Sequence, residues 1–339
     1  MSSADDRALE EIFHPATIRA RAAKIAALAE SGGTHFLLHP EKLSDVAARV
    51  ARVTRANYPD LKVPFHSRWR HFQAGGVDRN AELDRLLSAK GVEERLRTKL
   101  DLAVISVLLD AGAGAEWRYR ESASADPVGR SEGLAVASFR MFLAGFFSSD
   151  AKDPFRVDAA ALEKISLAQL EAGFQASRQN PMQGLAGRHG LLSSLAKALR
   201  LANPKISNPR PADIVQEIST RAEGKNPIPA RAILRAVQAC LGPIWPGRSS
   251  WAGVNLGDVW SYAPLGSGFD GFVPFHKLSQ WLSYSLIEPL EESGRAVGGL
   301  DELTGLAEYR NGGLFLDAGL IALRDPLLTQ VVDAPGSEL

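Results

Sequence analysis

The stretch from Val92 to Leu109 constrains the fold more than any other. Leu96, Leu100, Ala103, Val104, Val107 and Leu108 recur there at the three-to-four spacing of a helix. It is the most apolar helix the chain can form, which places it at the centre of the fold, and Asp110-Ala-Gly-Ala-Gly114 ends it. The same period returns along most of the chain. Thr17–Glu30 carries Ile18, Ala22, Ile25, Ala26 and Ala29 and closes at Gly32-Gly33, and Pro40–Arg55 carries Leu43, Val46, Ala47 and Val50 inward. Arg130-Ser-Glu-Gly133 opens a helix running to Leu143, with Ser131 as a candidate cap. Further amphipathic helices are expected over 158–178, 184–202, 212–222 and 230–241, the last leading to Gly242-Pro-Ile-Trp-Pro246. Strand signals are few, with Leu61–Phe65 and Gly271–Pro274 as short extensions. The expected class is mainly α: one compact helical domain over 16–328 with very little sheet, and flexible ends at 1–15 and 329–339.

Composition sets the function classes that remain. Lys+Arg and Asp+Glu balance at 39 each, which provides no basic surface for nucleic acid. The single Cys240 lies between Ala239 and Leu241, excluding an internal disulfide and a cysteine zinc site. His35 and His39 are four apart, a spacing that can ligate metal on a helix, but they fall in a connector behind Gly32-Gly33 and read as packing or hydrogen-bonding residues. No run has the apolar length of a membrane span, and the start lacks the pattern of a secretory signal. The expectation is a cytoplasmic protein without metal or organic cofactor. No Gly-rich loop follows a strand and no nucleophile elbow occurs, which sets dinucleotide binding and acyl transfer aside.

Chemistry-bearing residues gather in two places. Between Gly257 and Leu282 the chain holds Asp258, Trp260, Tyr262 and Asp270 on a Gly- and Pro-punctuated loop. Pro274 then suits a helix start, with Phe275, Leu278, Leu282 and Leu286 on one face and His276, Lys277 and Gln280 at its beginning. Free N–H groups there, with the Lys277 ammonium, suit an anion; an ordinary loop capping an amphipathic helix fits the same residues. Between Tyr58 and Arg79, His66, Arg68, Arg70 and His71 alternate with Phe65, Trp69 and Phe72. That pattern suits a stacked planar group over a phosphate, and equally a core whose arginines pair with acids on neighbouring helices. Trp117-Arg-Tyr-Arg reads as an exposed or cleft-lining segment. Near the end, Gly305, Gly312 and Gly313 imply tight turns beside Tyr309, Arg310 and Asn311.

Several of these segments together resemble the uracil-catabolism protein family. They are His66-Ser-Arg-Trp-Arg-His-Phe72, Leu109-Asp-Ala-Gly-Ala-Gly114 with Trp117-Arg-Tyr-Arg, and Arg130-Ser-Glu-Gly-Leu-Ala-Val-Ala-Ser138. Val273-Pro-Phe-His-Lys-Leu-Ser-Gln-Trp-Leu282 and Leu303 through Gly313 complete the set. The resemblance implies a place in a pathway that opens the uracil ring at the nucleotide level and ends in urea. Glu132-Gly at a helix start, Asp258 followed by aromatics, and Val-Pro-Phe-His-Lys-Leu-Ser-Gln are also similar to the queuosine-nucleotide N-glycosidases. That second likeness implies a helical DNA-glycosylase-like fold and an Asp on Gly257–Tyr262 that cleaves a base from a ribosyl 5'-phosphate. This chain has Lys277-Leu-Ser-Gln280 where that family has Lys-Arg-Ala-Gln, and a longer loop before it, which keeps Asp270 beside Asp258 as the catalytic carboxylate.

The expected activity is therefore N-glycosidic hydrolysis of a ribosylurea 5'-phosphate-like small molecule, releasing urea and ribose 5-phosphate. Asp258 or Asp270 would face the ribosyl cation, and Glu132, His276 or Asp110 would assist the leaving urea. Lys277, Arg68 and Arg70 are the phosphate candidates, and Trp69, Trp117 and Trp260 the walls, with His66, Tyr262 and Arg310 completing the binding set. The alternatives are a hydrolase or deaminase of an earlier ring-opened uridine nucleotide, and a non-catalytic binding protein for a pathway intermediate.

Overall fold

The structure, a computed structural model, describes residues 3–245 and 249–325. Pro246 and the 329–339 tail lie outside them. The first helices are α1 (Ser3–Phe13), α2 (Pro15–Glu30), α3 (Leu43–Asn57), α4 (Arg68–His71), α5 (Arg79–Leu86), α6 (Val92–Leu108) and α7 (Arg130–Leu143). They continue with α8 (Ala159–Leu162), α9 (Leu167–Gly173), α10 (Leu185–Ala202), α11 (Ile214–Ala222), α12 (Ala230–Leu241), α13 (Lys277–Glu292) and α14 (Tyr309–Asp317). The strands are short: β1 (Phe36–Leu38), β2 (Ile228–Pro229), β3 (Ser250–Trp251), β4 (Val254–Asn255), β5 (Val259–Ser261), β6 (Phe272–Pro274), β7 (Val297–Gly298) and β8 (Ile321–Leu323). They form only two-stranded sheets, β1–β8, β2–β7, β3–β4 and β5–β6. The protein is mainly α. Among the described residues no helix is long and apolar enough to cross a membrane.

The chain divides into two compact units, each made of separated segments: residues 1–65, 247–278 and 301–339 in the first, 66–246 and 279–300 in the second. The second is built around α6. Every residue from Thr98 to Leu108 is buried, as its apolar pattern requires, and α4 and α7 pack against it. α7 approaches closely because residue 133 is glycine: a Cβ there would meet the Val128 carbonyl oxygen at 2.3 Å and the Trp117 ring at 3.1 Å. The expected long helix over 158–178 is instead α8 and α9, each started by its own cap. The Asp158 side chain accepts from Ala161, and Ser166 forms a capping box with Gln169. Ser131 does not cap α7; Gly129 holds that position, and the Ser131 hydroxyl turns elsewhere.

The first unit has its own small core. Leu9, Ile12 and Phe13 of α1 pack with Leu256, Val259 and Phe272, so residues 3–13, expected to fray, form an ordered helix. The helix of the second expected segment starts at Leu43 after a 3-10 turn at Pro40–Lys42, and only its Val46 is buried; Leu43 and Val50, expected inward, are exposed. Leu61–Phe65 is not a strand, whereas Phe272–Pro274 is. β5 and β6 pair antiparallel with Val259 opposite Pro274, Trp260 opposite Val273 and Ser261 opposite Phe272. The connecting loop closes on the bond from Tyr262 N–H to the Gly271 carbonyl at 2.8 Å. Gly271 must be glycine, since a Cβ there would sit 2.4 Å from the Gly266 oxygen.

The most exacting polar feature of the second unit is Asp101, fully buried on α6. Its carboxylate accepts from Val157 N–H at 3.0 Å, Ala212 N–H at 2.8 Å and Arg210 Nε at 2.8 Å. Removing it would leave a buried guanidinium and two amides without their acceptor. Asp101→Ala should cost about 3–5 kcal/mol in urea denaturation followed by far-UV circular dichroism. Asp101→Leu combined with Arg210→Met should recover much of that loss, because the charges leave together.

Candidate functional site

In the first unit Asp258 governs how the β5–β6 hairpin enters α13. Its backbone carbonyl accepts from Phe275 N–H at 3.0 Å and His276 N–H at 3.4 Å, and its side-chain Oδ2 accepts from Lys277 N–H at 3.0 Å. Its Oδ1 accepts from Trp260 Nε1 at 3.0 Å. Three successive amides thus converge on one residue, and the half-buried carboxylate is fixed in orientation. The expected helix start at Pro274 is corrected by this geometry: Pro274 ends β6, Phe275 stays outside, and the helix begins at Lys277. The helix-start N–H expected to meet a substrate anion is taken by the Asp258 carboxylate.

His276 sits at φ 46°, in the left-handed region that non-glycine residues seldom enter. The residue is 98% buried, its ring stacked on Phe13 at 5.6 Å, and its Nε2 lies 2.9 Å from the Ile12 carbonyl oxygen. A carbonyl only accepts, so Nε2 carries the proton and donates. His276 anchors α1 rather than serving a leaving group. Lys277 Nζ pairs with Glu308 at 3.2 Å and lies 5.8 Å from the Tyr309 ring centre. Arg310 lies 5.3 Å from the same ring. Tyr262 is half-buried and closes the hairpin loop through its backbone. Asp270 points outward, its side chain 80% exposed and 4.0 Å from Arg21, while its carbonyl accepts from Arg21 Nη1 at 2.9 Å. The first unit therefore brings Asp258, Trp260 and Lys277 together and holds Asp270 at a surface turn.

The second unit gathers a different set around α4. Arg68 is completely buried. Its Nε donates to Ser106 Oγ at 2.6 Å, and its Nη1 donates to Asp110 Oδ2 at 2.6 Å and to the Ser131 carbonyl at 3.3 Å. Burial holds the guanidinium below its ordinary value and Asp110 offsets part of that. The Ser131 hydroxyl donates to Asp110 Oδ1 at 3.1 Å. Arg188, itself buried, donates to the carbonyls of Leu109, Ala111 and Gln183 and so fixes the loop that carries Asp110. Above Arg68 stand three rings: Trp281, with the guanidinium carbon 5.7 Å from its centre, His71 edge-on to Trp281 at 5.8 Å, and His66 stacked on Trp281 at 6.1 Å. Glu132 is exposed on the first turn of α7, and its charge acts on both Arg68 and His71.

Other expected site residues are structural. Trp69 is buried and donates its Nε1 to the Ser285 carbonyl at 2.8 Å, and Arg70 is exposed and pairs with Glu288 at 2.6 Å. Trp117, expected to be exposed or to line a cleft, is fully buried against Phe174 and donates to its carbonyl at 3.0 Å. No substrate wall is formed by Trp69 or Trp117. Sequence reasoning passed over Trp281, Ser285 and Glu288, which meet α4 along one side of α13. Their spacing of four and three residues on a helix was the available signal.

His71 gives a pH handle on this second cluster. Burial, then the Arg68 charge, pushes its imidazole from 6.5 down to about 4. Between pH 6.5 and 4 the unfolded chain binds a proton there that the folded chain refuses, so stability falls as pH drops through that window. An NMR titration should show His71 still neutral at pH 5.5. His71→Phe should reduce the acid-side loss of unfolding free energy between pH 6.5 and 4.5.

Comparison with known proteins places the chain among relatives. The Schizosaccharomyces pombe protein named Protein urg3 is 41% identical over 313 residues, covering 91% of this chain and 75% of that protein. The Lachancea kluyveri protein named Uracil catabolism protein 4 is 38% identical over 312 residues, covering 86% of this chain and 71% of that protein. A family model described as Protein of unknown function (DUF1688) matches residues 11–339, nearly the whole length, and the chain belongs to that family.

Proposed function

We propose that the protein acts in uracil catabolism as an N-glycosidic hydrolase, splitting a ribosylurea 5'-phosphate-like intermediate into urea and ribose 5-phosphate. The pathway part is supported by the name of the Lachancea kluyveri relative, Uracil catabolism protein 4. The observation that carries the chemistry is the Asp258 carboxylate, held in orientation by the Lys277 backbone N–H and the Trp260 indole N–H. In the reaction the C1'–N bond breaks with its electron pair passing to the urea nitrogen, and positive charge builds on the ribose ring. Asp258 faces that charge and takes a proton from the attacking water, whose oxygen bonds to C1'. The proton ends on the departing urea, and the products balance substrate plus water. Lys277 and Arg310, both against Tyr309, supply the cations for the 5'-phosphate, which replaces Glu308 at Lys277.

One observation favours a second reading, a non-catalytic binding protein for the intermediate: both oxygens of Asp258 accept local N–H groups, as a structural cap would. Asp258→Asn separates the two, because asparagine keeps the acceptor toward Lys277 N–H and loses the charge. With synthetic ribosylurea 5'-phosphate and a urea assay, the hydrolase reading expects kcat to fall by about 10²-fold or more with little change in KM. A binding protein would release no urea before or after the change, and would keep its affinity. Lys277→Ala should raise KM for the phosphorylated substrate and leave the dephosphorylated compound almost unaffected. An equal loss on both substrates would remove Lys277 from the phosphate site.

A further inference from the structure

Three buried nitrogen atoms of the second cluster have no hydrogen-bond partner: Arg68 Nη2, His71 Nδ1 and Trp281 Nε1. They belong to side chains in mutual contact, since Trp281 lies against both the Arg68 guanidinium and the His71 ring. Arg68 and Trp281 are 100% and 91% buried. A buried donor or acceptor left without a partner is costly, so three of them on side chains packed about one indole ring mark a place that a polar occupant would stabilise.

The chemistry of that occupant follows from donor counting. Arg68 Nη2 and Trp281 Nε1 can only donate, so they require an acceptor. His71 is neutral near pH 7, so one of its ring nitrogens accepts; we assign the proton to Nε2, which makes Nδ1 the acceptor that needs a donor. The charge of Arg68 is already matched by Asp110 at 2.6 Å, and the Glu132 carboxylate adds negative potential at both Arg68 and His71. An anion entering there would meet two carboxylates and one guanidinium that is already paired, which disfavours phosphate. We infer that Arg68, His71 and Trp281 form a binding site for a small uncharged amide or ureide, its carbonyl oxygen taking the two donors and its adjacent N–H given to His71. His66, exposed and stacked on Trp281, lies at the outer side of the site. This corrects the expectation that Arg68 holds a phosphate. It does not depend on which bond the protein breaks: binding without turnover would keep this site and remove the hydrolase.

The test uses the full-length protein, labelled with ¹⁵N, and follows the indole N–H of Trp281, assigned through Trp281→Phe. N-methylurea and uracil should shift that resonance saturably, and inorganic phosphate should leave it in place. 1,3-Dimethyluracil keeps the carbonyls and has no N–H, and should bind about tenfold or more weakly. Trp281→Phe should weaken uracil by a similar factor in calorimetry, and His71→Phe should erase the difference between uracil and its dimethyl form. Failure of both neutral compounds to move the signal would leave ordered water as the occupant and overturn the inference. Competition by phosphate, or a difference that survives in His71→Phe, would overturn it as well. Arg68 is not replaced, because its loss strands Asp110. If a variant loses the parent's circular dichroism spectrum, the titrations of the parent protein decide alone.

Discussion

The guanidinium of Arg68 is a full charge with no exposure to water, and much of the second unit is arranged to accommodate it. An uncompensated buried ion costs several kcal/mol, so each neighbour has a task. Asp110 supplies the opposite charge, but it lies in the loop leaving α6, where a carboxylate would be free to swing into solvent. Arg188 prevents this by drawing the Leu109 and Ala111 carbonyls onto its own buried guanidinium. Ser106 accepts from Arg68 Nε and passes its proton to Ser138, which donates to the Leu134 carbonyl. Each hydroxyl in that relay accepts once and donates once, so the buried chain is satisfied from end to end. α4, α6, α7 and α10 are held in register through one charge.

Pro289 shows the same economy on the backbone. A proline inside α13 has no N–H for the carbonyl one turn earlier, that of Ser285. The orphaned oxygen accepts from Trp69 Nε1 at 2.8 Å, while Ser285 Oγ accepts from Arg68 N–H at 2.9 Å. The break that proline makes in the helix ladder is the socket into which α4 docks. Trp69→Phe would therefore leave a buried carbonyl unmatched, which is why Trp69 reads as architecture.

Much of this was open to sequence reasoning where local periodicity decides. The burial of α6, the absence of any large sheet among the described residues and the short extension at Phe272–Pro274 follow from spacing and from glycine and proline placement. The division into two units did not follow, because each unit is assembled from segments far apart in the chain. Trp69, Trp117 and Arg70 looked like a stacking and phosphate set because arginines and aromatics alternate. Whether such residues face a ligand or a core is decided by partners such as Ser285, Phe174 and Glu288, distant in sequence. The segment 1–15 reads as a flexible end, yet Ile12 and Phe13 find Leu256, Val259 and Phe272 across more than two hundred residues of chain. Asp258 stood out as a carboxylate in a glycine-rich setting; its hold on three consecutive amides depends on the β5–β6 register and could not be read locally.

The two carboxylates central to the candidate sites differ in what binds them, and that difference sorts their capabilities. Asp110 meets a guanidinium, a full positive charge that cancels its own, so the Arg68–Asp110 pair presents nearly no net field and suits a neutral guest. The hydrogen bonds described for Asp258 come from a backbone amide and an indole, dipoles that orient a carboxylate without cancelling its charge. A carboxylate held in orientation by such dipoles is suited to a cation formed only at the transition state, since little reorganisation is needed when that cation appears. Recognition by hydrogen-bond pattern and stabilisation by net charge place opposite demands on a carboxylate, and the proposed roles fall to separate residues, Asp110 and Asp258.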